Sequence, residues 1–428
     1  MNLSELESTA LHLFDSVREL CEDGVGITRA SYGSGETAAI NFLCDFARLN
    51  ELMVSTDAAA NVIFSLPGAS DAPGVWVGSH LDSVPQGGNF DGLAGVVAGL
   101  LCLLRQHRSS GNIAAPLRVI GFRGEESAWF GKAYIGSAAM LGMLAPEDMH
   151  LRQRGTDRTL AECMSVVGAD VKTINLHRPL VELDQVCAYL ELHIEQGPVM
   201  VARALPLAVV TGIRGNVRHQ KITCVGEAGH SGTVPRWLRR DAMFAVADLI
   251  VRLDEHWRVL LERGTDLVVT TGICSTDPAD HSMSRIPGRV SFSFEARSRS
   301  SDTLEEFYKL MKSECSAIAS RRQVDFEFDR RQVSAPAQMD SLICSILKEA
   351  CQSRGVAHDL IPSGAGHDAS LFANAGVPAG MLFIRNQNGS HNPAEGMEIS
   401  DFMLGVQVLE DAVRLLSSNE CSRLEPKS

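Results

Sequence analysis

The stretch from Gly74 to Leu104, GVWVGSHLDSVPQGGNFDGLAGVVAGLLCLL, limits the possible folds more than any other part of the chain. A short apolar run, Val75 to Val77, leads into His80 and Asp82. A glycine-rich loop then carries Asp91 to the start of an apolar helical pattern. Strand, polar loop and helix in that order predict a parallel α/β sheet, where loops leaving the carboxyl ends of strands gather ligands and catalytic groups. The stretch reads as half of a metal or catalytic site, and the rest of the chain must supply the other half.

At 428 residues the chain is too long for one compact core and predicts two domains. Its 45% hydrophobic and 21% charged residues are ordinary for a soluble globular enzyme. A formal net charge of −13 argues against nucleic acid or an anionic membrane surface as main partner, since both reward basic patches. The longest apolar run, Ala94 to Leu104, is too short to span a bilayer. The eleven cysteines are scattered without a C-x-x-C pair, and MNLSELESTALHLF lacks a basic segment followed by an apolar one. A cytoplasmic protein with free thiols is expected.

Along the chain, Leu3 to Cys21 and Thr37 to Leu49 have helical spacing, and Asn61 to Leu66 and Leu117 to Phe122 read as strands. Glu125 and Glu126 follow the second of these strands almost at once. Pro146 to Thr159 reads as a polar surface segment, and Tyr189 to His193 as another buried strand. From about Val209 the texture changes. Strands over Asn216 to Gly226, Leu267 to Ser275, Val290 to Arg297 and Gln323 to Phe328 alternate with helices over Trp237 to Leu261 and Thr303 to Ser320. That β-α-β-β-α-β order is the ferredoxin-like pattern, a unit that can be inserted into another domain. The expected division is a catalytic α/β domain from residues 1–208 and 333–428, with an inserted α+β domain at 209–332. A strand over Met381 to Ile384, a loop carrying His391 and a helix over Asp401 to Leu416 complete the chain.

Seven polar residues follow predicted strands: His80, Asp82, Asp91, Glu125, Glu126, His193 and His391. Imidazole and carboxylate together suit zinc, manganese, nickel or cobalt, whereas magnesium or calcium normally takes oxygen ligands. One carboxylate between two histidine-bearing arms can bridge two metals, and Asp91 is the candidate. Asp82, two residues beyond His80, can accept the free imidazole N–H. Adjacent glutamates point different ways, so one can ligate metal while the other holds a proton, acting as base toward water and as acid toward a leaving nitrogen. A lone histidine or a pair of glutamates is by default surface or core. The joint pattern at strand ends instead points to hydrolysis of an amide-type bond.

GSHLDSVPQGGNFDG, GEES, LELHIEQGP, GEAGHSGTVP, GAGHDAS and NGSHNPAE resemble the motifs of the di-metal amidohydrolases related to aminoacylases and carboxypeptidases. They most resemble the branch of N-carbamoyl-L-amino acid hydrolases, β-ureidopropionases and allantoate amidohydrolases, over nearly the whole chain. The resemblance implies that His80 and His193 bind one metal, Glu126 and His391 the other, with Asp91 bridging and Glu125 as acid/base. It further implies Gln196 as a substrate or metal-proximal contact, and Ser284, His367 and Ser390 as substrate contacts. His230 is the implied stabiliser of the carbonyl oxyanion, and Arg297 the grip on a substrate carboxylate. A homodimer through the inserted domain is implied as well, with His230 serving either its own or the partner's site.

Three departures from the family pattern bear on specificity: Ser284 replaces an asparagine, Glu295-Ala296-Arg297 replaces Asp-Ile-Arg, and Trp129 stands where relatives carry arginine. The expected activity is metal-dependent hydrolysis of an N-carbamoyl amino acid or related ureido acid. Allantoate, N-acyl amino acids and dipeptides are the alternatives, and a catalytically silent metal or amino-acid binding protein is the rival from another class.

Overall fold

The structure, a computed structural model, describes residues 1–69, 72–108 and 116–417. It divides into two compact units, Met1–Gly212 with Gln338–Ser428, and Ile213–Ala337. Among the described residues no helix is long and apolar enough to cross a membrane.

The larger unit is built on a nine-stranded mixed sheet. At its centre lie four parallel strands, in the order Leu117–Phe122, Gly74–His80, Val186–Ile194 and Ala379–Ile384. Gly74–His80 and Val186–Ile194 are buried at every position, as expected of strands covered on both faces. Helix Leu93–Arg108 is buried from Leu93 through Leu104, because it lies inside the core against the sheet and helices Leu3–Cys21 and Ile399–Leu415. At roughly 1.5–3 kcal/mol for each large apolar side chain, this buried helix is a main source of the unit's stability. The first helix starts with a capping box, in which Asn2 and Glu5 each accept the other's main-chain N–H.

Register brings the working ends of these strands level. His80 pairs with Phe122, three residues before Glu125, and Phe383 pairs with His193. Four neighbouring strands therefore deliver their carboxyl-terminal loops to one edge of the sheet. The segment read as polar surface also contributes structure. Pro146–His150 is a short 3-10 turn, and helices Ile135–Met140 and Leu160–Val166 share a small core with Tyr32 and Phe130.

The second unit is an antiparallel sheet in the order Cys274–Ser275, Arg289–Ser298, Gly215–Val225 and Asp325–Phe328, with helices Ala242–Glu262 and Ser301–Arg322 packed on it. Strict alternation along Arg289–Ser298 turns Val290, Phe292, Phe294 and Ala296 toward Leu249 and Phe307. The strand expected over Leu267 to Ser275 is two pieces, Val268–Thr270 and Cys274–Ser275. The break falls opposite a register shift between Phe292 and Phe294, where Ser293 Oγ accepts the Ile273 N–H at 3.0 Å. The division between units falls later than at Val209, because Leu207 to Val210 pair with Ile384 to Met381 in the main sheet. At the other end Gln332–Ser334 pairs with the strand Gly215–Val225 and extends the second unit to Ala337.

Candidate metal centre

The two central histidines show which of their nitrogens are free. His193 Nδ1 donates to the Ile194 carbonyl at 2.8 Å. His80 Nδ1 lies 3.1 Å from the Asp82 carbonyl and 3.3 Å from Asp82 Oδ1. With both Nδ1 atoms donating, each Nε2 carries a lone pair. These two Nε2 atoms face each other at 3.4 Å and sit 3.5 and 3.1 Å from Asp91 Oδ1. Asp91 Oδ1 is buried and has no hydrogen-bond partner among the described residues. Three converging acceptors in a dry setting are unfavourable unless a cation lies among them.

A second group forms on the other side of the same aspartate. His391 Nε2 is 3.4 Å from Asp91 Oδ2 and 3.2 Å from Glu126 Oε1. In each trio, His80–Asp91–His193 and Asp91–Glu126–His391, the ligand atoms lie within 4.8 Å of one another. Asp91 offers one oxygen to each, the arrangement of a bridging carboxylate. The mixed imidazole and carboxylate donors fit two divalent cations of the zinc, manganese, nickel or cobalt type. The electrostatics agree. Burial pushes the Asp91 carboxyl upward, but positive charge on the imidazoles of His193, His391 and His80, with protons standing where cations would, outweighs it and holds the group well below the usual range. His391 is pushed up to about 11 by Asp91 and Glu126. The cluster demands positive charge.

Glu125 stands apart from both trios. Its carboxyl is pushed well above the usual range by burial, against the pull of His80 and with Glu126 adding to the push. Among the described residues no hydrogen bond engages that carboxyl, so it is free to hold a proton and to give it up. Both glutamates are set in place through their main chain: Asp82 Oδ1 accepts Glu125 N–H and Asp82 Oδ2 accepts Glu126 N–H, each at 3.0 Å. Asp82, fully buried, thus holds His80 and the two glutamates together.

A sequence model of peptidase family M20/M25/M40 matches residues 76–415. The chain is 36% identical to the N-carbamoyl-L-amino acid amidohydrolase of Geobacillus stearothermophilus over 95% of this chain and 98% of that one. The chain belongs to peptidase family M20/M25/M40. The allantoate amidohydrolase of Escherichia coli is 30% identical over 78% of each chain. Among solved structures, a hydantoinase/carbamoylase family amidase from Burkholderia multivorans superimposes with a TM-score of 0.86 at 25% identity, covering 98% of both chains. One from Burkholderia ambifaria gives 0.84 at 27%, covering 96% of this chain and 98% of that one. These relatives place this M20 protein in the hydantoinase/carbamoylase branch and make it an amidohydrolase, with the mixed-sheet catalytic domain and separate α+β unit of that fold.

The other expected residues of the M20 chain fall in three places. Gln196, with left-handed backbone (φ 63°), donates from Nε2 to Asp91 Oδ2 at 2.8 Å, and Ser390 Oγ is 2.6 Å from the same oxygen. His367 is buried edge-on against His193, ring centroids 4.4 Å apart, with Nε2 2.8 Å from Ser363 Oγ. It belongs to a third convergent group with Glu191 and His193. The atoms there are already engaged, since Glu191 accepts from Ser79 Oγ and Ala369 N–H, both at 2.8 Å. That group backs His193 through the His367 ring.

His230, Ser284 and Arg297 lie in the second unit. The short strands Gly229–His230 and Arg285–Ile286 pair, and Ser231 N–H donates to the Ser284 carbonyl at 2.8 Å. His230 is exposed, and Arg297 Nε is 3.1 Å from Glu295 Oε2. Trp129 donates from Nε1 to the Ser83 carbonyl at 2.7 Å.

Two residues beyond sequence reasoning complete the centre. Arg29 is wholly buried beneath it, donating to the carbonyls of Leu81 at 2.7 Å and Asp91 at 3.2 Å and to Asn89 Oδ1 at 3.3 Å. Glu395 accepts the main-chain N–H groups of Phe90 and Asp91. Glu395 sits in the quoted NGSHNPAE motif, while Arg29 stands in a loop with no pattern around it.

Proposed function

We propose that this M20 enzyme hydrolyses the carbon–nitrogen bond of an N-carbamoyl amino acid or related ureido acid. The observation that carries the proposal is the pairing of two cation-binding trios that share Asp91 with a carboxyl, Glu125, that belongs to neither. Divalent metals bound there supply Lewis acidity and make water a stronger acid. Glu125 takes the proton of the attacking water as its oxygen bonds to the carbamoyl carbon, then delivers it to the leaving nitrogen as the C–N bond breaks. The products are the free amino acid and carbamic acid, which decomposes to ammonia and carbon dioxide. Gln196 and Ser390 keep Asp91 Oδ2 oriented while this happens.

The inserted unit is proposed to supply specificity, His230 stabilising the oxyanion and Arg297 gripping the substrate carboxylate. It is also proposed to form a homodimer, supported by its exposed Trp237 and Met283, 79% and 104% accessible, with Phe244 and Ile273 exposed as well. A cytoplasmic setting fits the ten described cysteines, all unpaired.

Substrate class is tested with enzyme loaded in turn with zinc, manganese, nickel or cobalt and offered carbamoyl amino acids, allantoate, acetyl amino acids and dipeptides. A new α-amine with matching ammonia from a carbamoyl amino acid is the expected result. Ammonia from allantoate alone moves the assignment to that substrate. Turnover confined to acyl amino acids or dipeptides, without ammonia, overturns the carbamoyl assignment.

A further inference from the structure

Asp91 is held on every side but one. Its N–H donates to Glu395 Oε1 at 3.2 Å and its carbonyl accepts from Arg29 Nη2 at 3.2 Å. Its Oδ2 receives Gln196 and Ser390, leaving Oδ1 facing the two histidines without a hydrogen-bond partner among the described residues. Glu395 makes the most connections in this arrangement. Its Oε1 also accepts the Phe90 N–H at 2.8 Å, and its Oε2 lies 2.5 Å from Ser390 Oγ, the hydroxyl that reaches Asp91.

Glu395 stands just before the second strand of the small hairpin Asn386–Gln387 and Gly396–Met397, whose loop also carries His391. One carboxylate therefore ties the loop bearing the shared ligand to the hairpin bearing a ligand of one trio. The Asp91 loop is shaped to receive it: a Cβ on Gly88 would lie 2.2 Å from both Glu395 Cδ and Oε1. The carboxylate occupies the space that any other residue at 88 would fill.

We infer that Glu395 is a positioning residue that sets how Asp91 presents its two oxygens and so couples formation of the two cation sites. Two main-chain N–H groups on one carboxylate oxygen fix the height and tilt of the Asp91 backbone, and Ser390 relays the second oxygen to the Asp91 side chain. Partners of metal ligands of this kind typically change metal affinity by about 10–100-fold when removed. The inference rests on the two-metal reading given above.

The test uses the full chain stripped by a chelator and titrated with zinc against a chromophoric competitor. Glu395→Ala and Glu395→Asp, the latter keeping the carboxyl but a methylene short of the amides, are expected to bind at least one zinc about 10–100-fold more weakly. In loaded enzyme, kcat falls while KM holds. Glu395→Gln keeps a carbonyl for the two amides and an NH2 for Ser390, and is expected to stay close to wild type. Melting of each stripped protein establishes that it is folded. A wild-type chain that takes up fewer than two zinc ions defeats the two-metal reading itself. Two zinc ions on the wild type with unchanged affinity in folded Glu395→Asp or Glu395→Ala overturns this inference, as does equal loss in the Gln and Asp variants.

Discussion

Glu125→Gln separates proton transfer from metal binding. The substitution is close to isosteric. The carboxylate accepts no hydrogen bond among the described residues and lies outside both ligand trios, so the amide disturbs no described hydrogen bond and no ligand. Residue 125 is only 8% exposed, which leaves little room for a stray water to take over the role. Two metals per chain are therefore expected to remain, and folding stability is expected not to fall, since burial and Glu126 already favour a neutral group at this position. The rate loses what a positioned acid/base contributes, about 10²–10⁴-fold, or roughly 3–5 kcal/mol of barrier. Ammonia release measured beside metal analysis by mass spectrometry reads both quantities on one sample. Near-normal turnover with two metals bound would refute the role given to Glu125. Lost turnover accompanied by lost metal would show instead that the residue is a ligand.

Three further outcomes are expected. Chelation abolishes turnover and lowers the melting temperature, and metal restores both; free metal at a thousandfold over Kd adds about 4 kcal/mol per site, read by calorimetry. Gly92→Ala fails on two grounds: φ is +68° and its Cβ would lie 2.5 Å from His80 Nδ1. Left-handed backbone costs about 1–2 kcal/mol and overpacking about 1–3, so urea unfolding is expected to show a large loss together with weakened zinc binding. Glu36, wholly buried, is pushed by burial to about 7, against the pull of Arg123. The native chain then holds a proton that the unfolded chain loses near 4.5. The Glu36 contribution is full below that pH and is lost as pH rises to about 7. Subtracting the Glu36→Gln unfolding curve from wild type over this range is expected to show that decline, and a flat difference would refute it.

The parallel core was legible because buried strands and the all-apolar helix after Asp91 leave few other solutions, and because polar residues directly after apolar runs are conspicuous. Seven such residues in the sequence led to one edge of one sheet. The supports were less legible for a physical reason. Arg29 is a single charge in an irregular loop, and only the packed structure shows that its partners are three oxygens from Leu81, Asn89 and Asp91. Glu395 has a motif but no periodicity to say that its carboxylate spans more than three hundred residues to reach Phe90. The split of the strand expected over Leu267 to Ser275 goes with a register shift between its neighbour Arg289–Ser298 and the strand Gly215–Val225 beyond, which local propensity does not record.

The strand Ala379–Ile384 occupies the slot between Val186–Ile194 and Leu207–Ile213, two strands that are near neighbours in sequence yet never pair with each other. On the ribosome the facing edge of Val186–Ile194 stays unpaired for roughly ten to forty seconds at ~5–20 residues per second, and Leu207–Ile213, whose partners all come later in the chain, waits with it. During that wait the contiguous second unit, with its own core, leaves the tunnel and is free to fold. The sheet of the larger unit meanwhile exposes the apolar edge of Val186–Ile194, a natural target for chaperones and for wrong pairing. His391 emerges only after the missing strand, so a nascent chain cannot hold both cations before its sheet can close.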